Sequence, residues 1–167
     1  SSADLSSANL RYANLSSADL HYADLRSADL SSAKLEETIL EGISWLAYIG
    51  IIADGKGFAK AYKMSREDGR SCNYPSKINY AEQKTFKAEL NKDVNIHCSS
   101  GINLATFEWC LNNKDSADYR LFIMKFKVSE DNVCVPIGTD GKFRVAKCTK
   151  VGECNWQGNL LTESKGG

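Results

Sequence analysis

The chain has 167 residues, enough for one ordinary domain or two small ones. Lysine plus arginine and aspartate plus glutamate both number 21, so the formal net charge is zero and gives no global pull toward nucleic acid or an anionic surface. The longest apolar run, Ile43–Ile52, is half the roughly 20 residues a bilayer-spanning helix needs, so no membrane span is expected.

The first forty residues read in fives. Alanine stands at Ala3, Ala8, Ala13, Ala18, Ala23, Ala28 and Ala33, and leucine at Leu5, Leu10, Leu15, Leu20, Leu25, Leu30 and Leu35. A degenerate unit, Thr38 to Gly42, follows. A period of five fits neither the period of about 3.6 of an α-helix nor that of about 2 of a strand. The pattern resembles the pentapeptide-repeat family, whose motif is Ala-(Asp/Asn)-Leu-x-x. The resemblance implies a right-handed four-sided β-helix of about two coils over residues 1–42, with unit n stacked on unit n+4. Alanine and leucine would then point inward and the other positions outward. Stacking places Ser16-Ser17 beside Glu36-Glu37 and Arg11-Tyr12 beside Ser31-Ser32. The chain begins inside a repeat, at Ser1-Ser2, so a longer array or a processed product is expected. Some members of the family imitate DNA, which needs a continuous negative surface. Here Asp4, Asp19, Asp24 and Asp29 are opposed by Arg11, Arg26 and Lys34, so a nucleic-acid role is not expected. Tyr12, Tyr22 and Arg26 are the outward groups assigned to a protein partner.

Residues 43–57 form an apolar cap and linker, with Trp45 and Tyr48 assigned to the cap or to a subunit interface. Residues 58–167 are expected to be a small α+β domain. Strands are predicted over 58–64, 84–90, 94–97, 119–128, 133–137 and 143–151, with Pro136 marking an edge. Polar turns separate them at 66–71, 98–101 and 138–142. The one clear helix covers 105–111, capped by Thr106 or Asn103, with Glu108 in its first turn.

From Cys98 to Val151 the order of pieces is similar to an uncharacterised phage and giant-virus domain that also resembles a segment of phage rapid-lysis-inhibitor proteins. The pieces are Cys98-Ser99-Ser100-Gly101-Ile102-Asn103, a short aromatic helix, Phe122 to Val128, Asp131-Asn132-Val133-Cys134-Val135-Pro136, and Lys142-Phe143-Arg144-Val145. The resemblance implies a phage-encoded protein of the host cytoplasm or the virion. Its usual histidine is Asn103 here, which cannot titrate near neutrality and so argues against base catalysis or metal ligation at that position.

The six cysteines are dispersed, no Cys-x-x-Cys occurs, and His21 and His97 lie far apart, so reduced thiols are expected and no metal or cofactor. Cys98 is read as a small buried residue before a tight turn, against the sharper reading of a nucleophile. Gly101 is expected at a positive φ, and Lys142, Arg144, Lys147 and Lys150 on a solvated edge. The function these readings favour is a non-catalytic scaffold that binds a protein partner or further copies of itself. The alternatives are a small enzyme, ADP-ribosyltransferase-like or thiol-dependent, with Cys98, Glu108 and Asn103 as its candidate residues, and an inhibitor or decoy of a host enzyme acting through the coil.

Overall fold

The computed structural model describes residues 3–25, 28–30, 33–38, 44–72, 78–94, 96 and 98–161. In the N-terminal part the chain returns beside itself after twenty residues. Asp4 pairs in parallel with Asp24, Asn9 with Asp29 and Asn14 with Lys34. Backbone bonds such as Leu5 N–H to the Asp24 carbonyl (2.8 Å) and Asp24 N–H to the Ala3 carbonyl (2.8 Å) join the two levels. The predicted stacking register is met where it is described: Ser16 Oγ donates to Glu36 Oε2 at 2.8 Å and Ser17 Oγ to Glu37 Oε2 at 2.6 Å. Ser31, Ser32, Arg26 and Ile39 to Gly42 lie outside the described residues.

Each of the five positions has its own physical task. Alanines and leucines make the interior, in which Leu20, Leu25, Ala28 and Leu30 are buried. The Asp/Asn backbone pairs with the next level, and its side chain closes the corner by accepting the N–H two residues on. Asp4, Asn9, Asn14 and Asp19 do this for Ser6, Arg11, Ser16 and His21 at 3.0–3.2 Å. The next alanine N–H then bonds the leucine carbonyl, as from Ala8 to Leu5 at 3.1 Å. The fifth residue takes a left-handed conformation: Ser7, Tyr12, Ser17, Tyr22 and Glu37 have φ between 58° and 65°. That conformation costs a side-chain-bearing residue about 1–2 kcal/mol. It persists because the corner and the inter-level bonds both demand it.

The C-terminal part is one antiparallel sheet of seven strands: β1 (Phe58–Ser65), β2 (Thr85–Lys87), β3 (Ile102–Ala105), β4 (Arg120–Lys127), β5 (Val133–Cys134), β6 (Lys142–Val145) and β7 (Lys147–Cys154). Their spatial order is β2-β7-β4-β1-β3-β6-β5, so β2 and β5 are edges and the sheet is not closed. Two short helices accompany it, α1 (Trp45–Tyr48) and α2 (Phe107–Asn112). The inner face carries Ala59, Ala61, Phe86, Ile102, Leu104, Phe122, Met124, Phe126, Phe143 and Val145. The opposite face packs Ala105, Leu121, Ile123 and Cys154 against Cys110 of α2.

Strands β6 and β7 are separated only by Ala146, yet β4, β1 and β3 lie between them in the sheet. The sheet must therefore curl so that one bent strand reaches both sides. Asn132 holds the bend. Its Nδ2 donates to the carbonyls of Lys127 (2.7 Å) and Lys147 (3.1 Å), its Oδ1 accepts the Lys147 N–H (2.7 Å), and its carbonyl accepts the Ala146 N–H (2.9 Å).

The two parts share contacts. Trp45 and Ile137 pack on the interior of the N-terminal coil, while Leu46 and Ile51 pack into the sheet core. Ser44 caps α1, its Oγ accepting the Ala47 N–H at 3.3 Å. The cap segment thus belongs to both cores rather than lying over the coil alone. Gly138, at φ +68°, approaches so closely that a Cβ there would lie 3.0 Å from the Ala28 carbonyl.

Five local expectations change. Val94 lies in a turn, with Asn95 and His97 outside the described residues, so no strand is seen at 94–97. Ala105 ends a strand, and the helix begins after Thr106, whose Oγ1 accepts the Trp109 N–H at 3.2 Å. Asn103 is not its cap, because it sits in mid-strand opposite Arg144. The 143–151 strand breaks at Ala146 for the reason given above. The basic edge is solvated only in part: Lys147 is exposed, but Arg144 is fully buried, donating to the carbonyls of Asn91 (2.7 Å), Ile96 (2.5 Å) and Asp93, while Lys150 reaches the carbonyls of Tyr80 and Ala81. Strand alternation hides Arg144, because its loop of carbonyls exists only in the folded chain.

Asn132→Ala removes three side-chain hydrogen bonds at the bend and should lower stability by about 2–3 kcal/mol in denaturant unfolding. Gly138→Ala combines a positive φ with the Ala28 contact and should cost about 1–2 kcal/mol or more, read as a lowered melting temperature.

Candidate functional site

β1 and β3 pair only at Tyr62 and Ala105, and beyond that pair the two strands part. Lys63 fills the opening: its Nζ donates to the Asn103 carbonyl at 3.1 Å and lies 4.8 Å from the centre of the Tyr80 ring. A cavity of about 60 Å³ remains in the notch, lined among others by Lys63, Cys72, Cys98, Asn103, Trp109 and Lys142. One water needs roughly 10–15 Å³ of such space, so the notch holds a few atoms beyond a single water.

Its electrostatics are one-sided. Lys63 is 7% exposed. Burial, which strips water from the ammonium, lowers its pKa from 10.5 to about 8. Cys72, Cys110 and Cys148 push against that shift, and the charge of Lys142, the smallest contribution, pushes the same way as burial. Lys142 Nζ donates to Cys98 Sγ at 2.9 Å and lies 5.3 Å from the centre of the Trp109 ring, whose Nε1 donates to Asp140 Oδ2 at 2.9 Å. Among the described residues no carboxylate lines the cavity and none forms an ion pair with Lys63. Asn103 Nδ2 reaches the Ser99 carbonyl at 3.4 Å, but its Oδ1 is buried with no hydrogen-bond partner.

The structure brings Cys98 and Asn103 to this notch and leaves Glu108 out of it. Cys98 is exposed, not the buried residue expected, because the turn before β3 puts it at the rim beside Lys142. Cys110, Cys134, Cys148 and Cys154 are buried and unpaired, and burial pushes the Cys110 and Cys148 thiols up to about 12. Gly101 has the expected positive φ (+130°), with Leu90 and Arg144 close to where a Cβ would stand. Glu108 is exposed and lines a separate open cleft of about 830 Å³ between the coil and α2, with Ser6, Tyr48, Asn112 and Asp140. Sequence reasoning missed Lys63. Its signal was parity, since it falls on the same strand face as Ala59, Ala61 and Ser65, where small core residues stand.

On the coil, Tyr12 is 72% and Tyr22 87% exposed, both at turn positions. The Arg11 guanidinium lies 5.5 Å from the Tyr12 ring centre and 3.7 Å from Asp29 Oδ2. Tyr48 is about half exposed and stands edge-on to Trp45, which is itself packed on the coil interior. Arg26 lies outside the described residues. No helix among the described residues is long and apolar enough to cross a membrane.

Residues 1–42 match the family of pentapeptide repeats, in eight copies. No curated protein and no solved structure matches the chain.

Lys63→Met should stabilise the protein at pH 7 by about 3 kcal/mol, the equivalent of its lowered pKa. Below pH 8 both states are protonated and the whole penalty is present. Between pH 8 and 10.5 the folded chain releases a proton that the unfolded chain keeps, so the native protein gains stability relative to the variant. The gap between the two should close over that window in urea titrations at stepped pH. The difference isolates Lys63 from the buried thiols, whose raised pKa values lower stability above about pH 9 in both proteins.

Proposed function

We propose that this chain is a non-catalytic protein-interaction scaffold. Its N-terminal part is a right-handed, four-sided β-helix of about two coils that presents side chains at fixed corners. The observation that carries this reading is the run of pentapeptide repeats over residues 1–42, on which two tyrosines stand largely exposed at structurally constrained turns. Pentapeptide repeats fit an interaction scaffold in general. Tyrosine suits such a surface, since it offers large contact area and a hydroxyl at low conformational cost. The open cleft floored by Tyr48 extends the surface toward α2. The partner is a protein or a second copy of the chain. The setting is a phage-encoded complex or virion in the host cytoplasm, a reading supported by the resemblance of residues 98–151 alone.

A photo-crosslinking residue placed at position 12 or 22 should yield one discrete protein adduct, identified by mass spectrometry. Tyr12→Ala combined with Tyr22→Ala should then weaken binding of that partner at least about tenfold with the far-ultraviolet circular dichroism unchanged. Binding unaffected by the tyrosine pair but lost in Cys98→Ala would overturn the reading.

A further inference from the structure

The notch between β1 and β3 has the composition of a site for a small anion. A buried ammonium in a protein is ordinarily matched by a buried counter-charge, because removing a cation from water is costly. Lys63 has a backbone carbonyl and the face of Tyr80 but no carboxylate among the described residues. A second ammonium, Lys142, lines the same cavity, so two positive groups face a space that no carboxylate lines among the described residues. The third feature is Asn103 Oδ1, an acceptor buried there without a donor. Buried polar atoms are almost always satisfied, so an orphan acceptor beside two cations calls for a molecule that is anionic at one end and a hydrogen-bond donor at the other. The donor must be neutral, since an ammonium would meet the two lysines as a like charge, and a hydroxyl is the smallest neutral donor an organic anion can carry.

We propose that the notch binds a short 2-hydroxycarboxylate, of the size of glycolate or lactate. The carboxylate lies between Lys63 and Lys142, the hydroxyl donates to Asn103 Oδ1, and the carbon chain rests against Trp109 and Leu104. The volume agrees, as about 60 Å³ admits a molecule of a few heavy atoms and no nucleotide or peptide. Among the described residues the ionisable groups facing Lys63 are Lys142, Cys72, Cys110, Cys148 and Tyr80, and none of these supplies a negative charge at neutral pH. The site is independent of the coil and of the scaffold reading.

The test is a titration of the full chain with glycolate, acetate and inorganic phosphate, followed by amide chemical shifts at pH 7. Glycolate should saturate, with the largest shifts at Lys63, Asn103 and Lys142, and bind roughly tenfold tighter than acetate, which leaves Asn103 Oδ1 unpaired. In Asn103→Ala the preference for glycolate over acetate should fall to within about twofold. Lys63→Met should lose both ligands, and it replaces a buried charge by an apolar chain of similar length, a change that proteins tolerate. The shift mapping needs no variant. Absence of saturation up to about 50 mM glycolate, equal affinity for acetate, or tighter binding of phosphate would each overturn the proposal.

Discussion

The C-terminal part of this protein depends on one bend. A single strand from Lys142 to Cys154 lies beside β3 at one end and β4 at the other, and it can do so only because Ala146 turns it and Asn132 ties the turn to the end of β4. The curl that follows brings Phe126 against Phe143, with ring centres 5.3 Å apart, and makes one core from strands distant in the sheet order. The same curl pulls β3 away from β1 after a single pair, and the notch with its buried lysine lies where they separate. The cavity is thus a product of how the sheet bends, and its chemistry depends on which residues stand at the split.

The coil and the sheet are also mechanically joined. Residues 45 and 46 are neighbours in a one-turn helix, yet Trp45 faces one core and Leu46 the other. The turn after β5 returns Ile137 and Gly138 to the coil interior beside Leu30. Leu30 is fully buried, while Leu5, Leu10 and Leu15 at the other level are partly exposed. The interior of the coil is driest where the C-terminal part touches it, so hydrophobic burial there is shared between the two.

Much of the architecture is legible in the sequence because it rests on period. Seven alanines and leucines in fives specify the twenty-residue return, and Phe122, Met124 and Phe126 reveal the face of β4. The task of the Asp/Asn position was not legible as a pattern of polarity, since an outward polar residue and a corner-closing acceptor look alike until the backbone N–H is placed. The bend at Ala146 left no mark either, because no glycine or proline stands there. The site divided in the same way. Cys98 and Asn103 were visible as a cysteine turn and a strand residue, and they do meet. Lys142 and Arg144 read as ordinary surface charges and Lys63 drew no reading at all, and only tertiary contacts reveal that Lys63 and Arg144 are buried and that Lys63 and Lys142 line a cavity. Glu108 was drawn into the candidate set by closeness in sequence, and the helix it sits on turns it to the opposite cleft.

The left-handed residues at the coil corners have a consequence for how such a surface changes over time. Because inter-level bonds, joined at most corners by an Asp/Asn side chain, shape the corner, the fifth residue is not chosen for its own conformational preference, and Ser, Tyr and Glu (the last in a unit with Lys34 at its second position) all occupy it. Successive levels lie about 4.8 Å apart, the spacing of neighbouring strands. The coil therefore behaves as a printed grid of addresses, in which the letter at each address can be rewritten without moving the page. Recognition can drift residue by residue on such a grid while the backbone beneath it stays the same.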